Sequence, residues 1–239
     1  MFFLLSPFIY KIFNNICRSV IKPFLYDSKL QGVKNWDYHV KTVRETHNLS
    51  LSVFSFTMSV FSGWEIWSQW DESGSLICQP YTMSSNLSWI IPLFYYSKFW
   101  EWLDTLFLII GDKRVSNLHY FHHASTPYFS YVNTYLSVGV SPGYLIAVFL
   151  NTFVHGFMYW YYLYPRGVLR SLKMWITRSQ IVQHMIMLAV IISSYIECPD
   201  VMRVHWVSFL SASTLYSYFF IQFLHFYFVT YKSKMVTKI

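Results

Sequence analysis

The chain has 239 residues, of which 54% are hydrophobic and 22% aromatic, while only 12% are charged. Soluble domains carry about a quarter charged residues, so this composition argues against an ordinary soluble enzyme and predicts an all-α membrane protein. The net charge is +7. Basic residues collect in the cytoplasmic loops of membrane proteins, and they can attract anionic substrates, so we expect these two causes to explain the charge. We expect no nucleic-acid partner.

The N-terminal part is apolar but interrupted by Lys11, Arg18 and Lys22. Residues 1–26 are therefore predicted to form either an interfacial helix or an additional span, and 27–46 a polar linker. We divide the chain into an N-terminal segment and linker (1–46), a transmembrane domain (47–231) and a basic cytoplasmic tail (232–239).

Six apolar segments follow, each about long enough to cross a bilayer. They cover residues 47–67, 87–110, 117–138, 143–163, 174–196 and 206–230. Basic and non-basic linkers alternate along the chain, so the positive-inside rule predicts six spans with the C-terminus in the cytoplasm.

The three cysteines, Cys17, Cys78 and Cys198, have a spacing that fits neither a zinc motif nor a disulfide framework. Cys78 and Cys198 fall in predicted lumenal linkers. We therefore expect no thiol near the histidines described next.

Three histidines lie close together in the third segment. His119, His122 and His123 are spaced i, i+3 and i+4, so they share one face of a helix. Ionisable groups inside a membrane are costly, and by default they indicate function.

Polar side chains on four other segments are expected at a similar depth, within about 10 Å of the cytoplasmic ends. They are Lys98, Glu101, Asp104, Thr105, Asn151, His155, Tyr159, Thr177, Gln180, Gln183, His184, Gln222 and His225. His39, His47 and His205 are expected outside this layer, in linkers or at a span edge. Such residues also hydrogen-bond helices together, but five contributing helices favour an active site.

Several chemistries suit this layer. A histidine could act as base or nucleophile, with Asp104 or Glu101 fixing its tautomer and Asn151 or Gln180 as oxyanion donors. A metal site is the rival interpretation, but the chain has a single HxxHH box, whereas the membrane di-iron desaturases use three, and we expect no metal. The third interpretation is a receptor or transporter whose polar layer binds a ligand without catalysing a reaction.

Four motifs occur in order: KxxExxDT at 98–105, HxxHH at 119–123, NxxxHxxMYxYY at 151–162 and TxxQxxQ at 177–183. Together they resemble the signatures of the ELO family of very-long-chain fatty acid elongases, from about His47 to Tyr231.

The resemblance implies an endoplasmic reticulum enzyme that condenses acyl-CoA with malonyl-CoA to 3-oxoacyl-CoA, CoA and carbon dioxide, without a cofactor. The implied fold is a six-helix transmembrane barrel around an acyl tunnel, with the N-terminal segment as an interfacial or seventh helix. The implied partners are the bilayer, other elongation enzymes and a second copy of the chain.

For the catalytic residues, we expect His122 to take the acyl group, His155 and Asn151 to position the enolate and thioester oxygen, and Asp104 to orient the cluster of His119, His122 and His123. Direct attack with a histidine as general base is the alternative. Lys98 either meets a phosphate or pairs with Glu101. The expected substrate-binding residues are Lys98, Glu101, Gln180, Gln183, Tyr159, Tyr162, Lys113, Arg114, Arg170 and Lys173.

Overall fold

The computed structural model describes residues 5–30, 36–73, 77–78, 87–136, 143–165 and 172–232, and these segments contain helices and turns but no strand. The all-α prediction is confirmed. The helices are α1 (Ser6–Ile16), α2 (Lys22–Leu30), α3 (Trp36–Ser73), α4 (Leu87–Trp100), α5 (Leu103–Ile110), α6 (Asn117–Tyr131), α7 (Tyr144–Leu163), α8 (Leu172–Glu197), α9 (Pro199–Val204) and α10 (Trp206–Tyr227). π-helical turns follow α1, α6 and α10 at Cys17–Ile21, Val132–Leu136 and Phe228–Lys232.

Helix α3 is much longer than the apolar segment that predicted it. It begins at Trp36, so the expected linker over 27–46 is wrong in its second half, and the boundary after 46 falls inside a helix. This stretch is polar but contains neither glycine nor proline, and Lys41 and Glu45 form an i,i+4 ion pair at 3.7 Å. The first residues of α3 can therefore form a helix without an apolar face, because side-chain pairs of this kind stabilise it.

The second predicted segment is two helices joined by a tight turn. The Asp104 N–H donates to the Glu101 carbonyl over 3.1 Å, and the Thr105 N–H donates to the Trp102 carbonyl over 3.0 Å. These i→i+3 bonds tighten the backbone between α4 and α5. Glu101 and Asp104 therefore need not share a face, although their spacing in a regular helix would suggest it.

Helix α3 has an inverted pattern of burial. Val53, Val60 and Trp64 are exposed, whereas Ser52 and Ser59 are buried. Soluble proteins rarely expose such apolar surface, but helices that face lipid do. Within the described residues, two helical stretches suit a membrane crossing by length and composition, Leu172–Glu197 and Trp206–Tyr231. The complete six-helix barrel stays a prediction.

Helices α3 and α7 approach closely through small residues. A Cβ atom on Gly156 would lie 2.7 Å from the Phe56 ring, so only glycine fits there without displacing that ring. The Ser52 hydroxyl donates to the Gly156 carbonyl over 2.9 Å. Small residues allow such contacts between membrane helices. This contact fixes the position of α3 along the axis of α7, next to the polar face of α7.

The N-terminal segment packs against the helices around the histidines. Tyr10 is fully buried, with its ring centroid 5.1 Å from that of Trp102 and 5.2 Å from that of Tyr120. The Ser6 hydroxyl donates to the Ala124 carbonyl over 3.4 Å. Residues 6–16 are therefore part of the packed structure around the site, and this contact was not predicted.

A disulfide joins Cys78 to Cys198, with Cα atoms 5.3 Å apart. The cysteine spacing did not indicate this bond, because a separation of 120 residues has no recognisable sequence pattern. Cys17 is buried and free. Cys198 follows the end of α8 and Lys173 lies at its beginning, so the disulfide lies at the opposite end of that helix from Lys173.

We predict that a maleimide labels one cysteine in the denatured, unreduced protein and three after reduction, as counted by mass spectrometry. Opening a loop of this length should lower the free energy of unfolding by about 3–5 kcal/mol, so Cys78→Ser should melt at a lower temperature. Labelling of all three thiols before reduction would contradict the disulfide.

Candidate active site

A buried ion pair lies at the centre of the polar layer. Lys98 and Glu101 are 2% and 3% exposed, and the Lys98 Nζ donates to the Glu101 Oε1 over 2.6 Å. The same Nζ donates to the Asn151 Oδ1 on α7 over 2.9 Å. Lys98 thus pairs with Glu101, which was one of the two roles expected for it.

This pair determines how the neighbouring groups on α7 are oriented. Lysine can only donate hydrogen bonds, so the Asn151 oxygen faces Lys98 and its Nδ2 faces the His155 Nε2, 3.2 Å away. Because Nδ2 donates, Nε2 must accept. The ring proton is then on Nδ1, 3.5 Å from the Glu101 Oε1, and the network selects one neutral tautomer of His155.

His122 lies beside this network. Its ring centroid is 6.1 Å from that of His155 and 5.3 Å from that of Phe219. Together with Lys98 and Asn151, it lines a cavity of about 40 Å³, which is room for about one water molecule.

The rings of Phe129, Tyr144 and Tyr216 line the same cavity and belong to the packed core. An acyl chain needs more room than the cavity offers. These side chains must therefore move before the predicted tunnel could accept one.

The other two histidines of the HxxHH box connect to the N-terminal helix. The His119 Nε2 lies 2.9 Å from the Thr105 Oγ1, which lies 2.7 Å from the Tyr10 hydroxyl. The ring centroids of His119 and His123 are 4.2 Å apart. Sequence reasoning missed Tyr10 because nothing in an isolated apolar segment indicates which helix its hydroxyl will reach.

Asp104 has different partners from those expected. Its Oδ1 is 3.0 Å from the His47 Nε2, and its Oδ2 accepts from the Tyr159 hydroxyl over 2.6 Å. Within the described residues, Asp104 makes no hydrogen bond to the HxxHH box. The expectation that Asp104 orients these histidines is therefore wrong. The tight turn after Glu101 directs Asp104 toward α3 and α7 instead.

His47 belongs to the site, contrary to the expectation that it lies outside the layer. It is 6% exposed, and its ring centroid is 5.3 Å from that of Phe107. From the sequence, only its position near the edge of a predicted span was apparent. The length of α3, which starts eleven residues earlier, is what makes it an inward-facing helical residue.

The remaining candidates vary in position. Gln183 is buried in the cavity wall, whereas the Gln180 Nε2 lies 3.9 Å from the Met158 Sδ. Tyr162 is 46% exposed, with its ring centroid 6.0 Å from that of Tyr159.

The basic candidates lie at the surface. Lys113 and Arg114 are exposed in the turn after α5, Lys173 is exposed near the start of α8, and Arg170 falls outside the described residues. His225 is exposed, so its expected place in the layer is wrong.

Among the side chains that the structure describes, no group of three or more His, Cys, Asp or Glu residues is arranged to hold a metal ion. The HxxHH histidines contact one another, Thr105 and aromatic rings instead. The described side chains therefore offer no set of ligands that would support the metal interpretation.

The ELO (GNS1/SUR4) family model matches residues 1–239 of the chain. Among curated proteins, the chain is 32% identical over 197 residues to fatty acid elongase sre1 of Dictyostelium discoideum, covering 78% of the chain and 71% of that protein. It is 33% identical over 126 residues to very long chain fatty acid elongase 7 of Drosophila melanogaster, covering 47% of the chain and 37% of that protein.

A third relative is long chain fatty acid elongase 1 of Caenorhabditis elegans, 34% identical over 119 residues, or 46% of the chain and 38% of that protein. Apart from sre1, the chain spans half or less of the length of these and similar relatives.

We predict that Glu101→Gln lowers the free energy of unfolding by about 3–5 kcal/mol, because it leaves the Lys98 ammonium buried without its counter-ion. The double variant Lys98→Met/Glu101→Leu, which removes both charges, should lose less. Thermal unfolding in detergent micelles measures both. A single variant that is no less stable than the double one would show that the pair is not isolated from water.

Proposed function

The chain belongs to the ELO (GNS1/SUR4) family, and from this premise we propose that it is a very-long-chain 3-oxoacyl-CoA synthase. It would condense a long-chain acyl-CoA with malonyl-CoA, giving 3-oxoacyl-CoA, CoA and carbon dioxide, the first step of fatty acid elongation. The four motifs of the chain and the elongase relatives support fatty acid elongation; the geometry around His122 is the basis for the chemical steps.

The observation that carries the proposal is the buried network of Lys98, Glu101, Asn151 and His155 next to the cavity that His122 lines. The network is held by its own hydrogen bonds, so its polar groups need little reorganisation when charge develops nearby. Preorganised donors of this kind stabilise oxyanions in sites that exclude water.

In the first step, a nitrogen of His122 attacks the thioester carbonyl carbon of acyl-CoA. The carbon–sulfur bond breaks, CoA leaves as the thiolate, and the proton lost by the imidazole neutralises that thiolate. The product is an acyl-imidazole, which preserves the energy of the thioester for the next bond.

In the second step, malonyl-CoA enters and its carbon–carboxylate bond breaks, releasing carbon dioxide and leaving an enolate. The enolate carbon attacks the acyl carbonyl, the bond to the His122 nitrogen breaks, and the released imidazole takes up one proton from water to return to its neutral form. The Nε2 of His155 accepts one N–H of the Asn151 amide, so the imidazole orients this amide, and the second N–H of Asn151 donates to the enolate or the thioester oxygen. Lys98 keeps the Asn151 amide in the required orientation.

Asp104 acts on the site through its two partners. Its carboxylate accepts from Tyr159 and faces His47, while the Tyr159 ring lies 5.8 Å from that of His155. We assign Asp104, His47 and Tyr159 to positioning α7 against α3. His119 and His123 position His122 from the same helix.

The CoA portions of both substrates would approach from the end of the bundle that carries Lys113, Arg114 and Lys173, with Tyr162, Gln180 and Gln183 nearer the acyl group. Arg170 is proposed as a further CoA contact from the sequence alone. The disulfide lies at the other end of α8 from Lys173. Because disulfides persist in oxidising compartments, this supports a lumenal end opposite a cytosolic one. We propose an endoplasmic reticulum protein with a cytosolic C-terminus that works with the other elongation enzymes and a second copy of itself.

We predict that wild-type protein incubated with acyl-CoA alone gains the mass of one acyl group, and that His122→Ala gains none and forms no 3-oxoacyl-CoA. Intact-mass spectrometry and product analysis measure the two effects. His225→Ala, an exposed histidine, is the matched control and should behave as wild type.

The alternative mechanism, in which a histidine acts as general base in a ternary complex, predicts condensation by wild type without any acyl adduct. That result would exclude the covalent route. Near-normal product from His122→Ala would remove His122 from either role.

We also predict that His47→Ala lowers kcat by about 10- to 100-fold with little change in KM, since a hydrogen bond to a charged group is worth about 1.5–3 kcal/mol. His39→Ala changes an exposed histidine on the same helix and should leave the rate unchanged. Steady-state kinetics compare them. Equal rates for His47→Ala and His39→Ala would show that Asp104 needs no partner on α3.

A further inference from the structure

Two adjacent polar residues on α8, Gln183 and His184, take no part in the bond-making and bond-breaking steps of the proposed mechanism. They are 7% and 4% exposed, respectively, and both line the cavity that His122 lines. Within the described residues, the Gln183 Oε1 and the His184 Nδ1 are buried without a hydrogen-bond partner. Leaving such an atom unpaired costs about 1–3 kcal/mol, which a bound group could recover.

The surroundings of His184 are otherwise aromatic. Its ring centroid is 5.7 Å from that of Tyr216, 5.8 Å from that of Phe219 and 5.3 Å from that of Phe223. Phe219 also contacts the His122 ring at 5.3 Å. His184 thus lies one aromatic ring away from the reacting imidazole, in a wall that would otherwise suit plain hydrocarbon.

The charge balance of the cavity favours a neutral polar group over an anion. Lys98 is the cation of this cavity, and Glu101 already neutralises it at 2.6 Å. A carboxylate held by Gln183 and His184 would lie there without a counter-ion, which is costly in a buried site. A hydroxyl both donates and accepts, so one hydroxyl can serve an amide oxygen and a neutral imidazole together.

We infer that Gln183 and His184 form a subsite for a hydroxyl group on the acyl chain, and that the preferred substrates are hydroxyacyl-CoAs. This inference depends on the proposed condensation. With the acyl carbonyl at His122, the hydroxyl lies a few carbons farther along the chain, beyond Phe219. An unsubstituted methylene at this point leaves both polar atoms unpaired, and sites of this kind discriminate strongly against substrates that lack the hydroxyl.

The test measures kcat/KM of the purified full chain in micelles for acyl-CoAs of one length. One is unsubstituted, and each of the others carries a single hydroxyl at a different carbon. Wild type should prefer at least one hydroxylated member by about tenfold or more. His184→Phe should abolish that preference while it retains or raises turnover of the unsubstituted chain, and Gln183→Leu should shift the ratio in the same direction.

Met185→Phe is the control, because Met185 is the next residue on α8 but is 52% exposed; it should keep the wild-type ratio. Equal turnover of hydroxylated and plain chains by wild type, or an unchanged ratio in His184→Phe, overturns the inference and assigns the two polar atoms to a bound water. Equal loss of all substrates in His184→Phe also overturns it. No condensation of any member by wild type contradicts the proposed function itself.

If His184→Phe does not fold, Gln183→Leu decides the question with the same ratio. A shift toward the plain chain supports the subsite, and a wild-type ratio contradicts it.

Discussion

The buried ion pair between Lys98 and Glu101 is the constraint on which the rest of the site depends. Neither charge is tolerated alone in an apolar interior, so the two side chains hold each other in place. The remaining hydrogen-bonding capacity of Lys98 then orients the Asn151 amide, which in turn determines the tautomer of His155. A short series of obligatory donors and acceptors thus prepares the face of α7 that lies toward His122.

The turn between α4 and α5 lets one motif of eight residues serve three networks. Glu101 faces the pair and His155, Asp104 faces His47 and Tyr159, and Thr105 lies between His119 and Tyr10. In an unbroken helix, Glu101 and Asp104 would lie three residues apart on the same face. The tightened backbone therefore connects α1, α3, α6 and α7 to a single segment.

Much of this arrangement could be predicted from the sequence, because helix periodicity is a local property. The spacing of His119, His122 and His123, and that of Asn151 and His155, predicted shared faces that the structure contains. Pairing of Lys98 with Glu101 was one of two roles that the sequence left open, and the structure contains that pair.

What could not be predicted depends on long-range contacts. The partner of Asp104 is fixed by how α3 packs on Gly156, and His47 looked peripheral because the polar start of α3 has no apolar pattern. Tyr10 reaches Thr105 across 95 residues of sequence, and Cys78 reaches Cys198 across 120. No periodic pattern in the sequence indicates either of these two pairings.

Carbon dioxide release is the most direct test of the claim that these polar groups make and break acyl bonds rather than bind a ligand. Purified wild-type protein should release labelled carbon dioxide from carboxyl-labelled malonyl-CoA only when a long-chain acyl-CoA is present, in step with free CoA. A receptor or transporter would release none. Absence of release from folded protein, supplied with acyl-CoAs that its micelles can dissolve, would contradict the account.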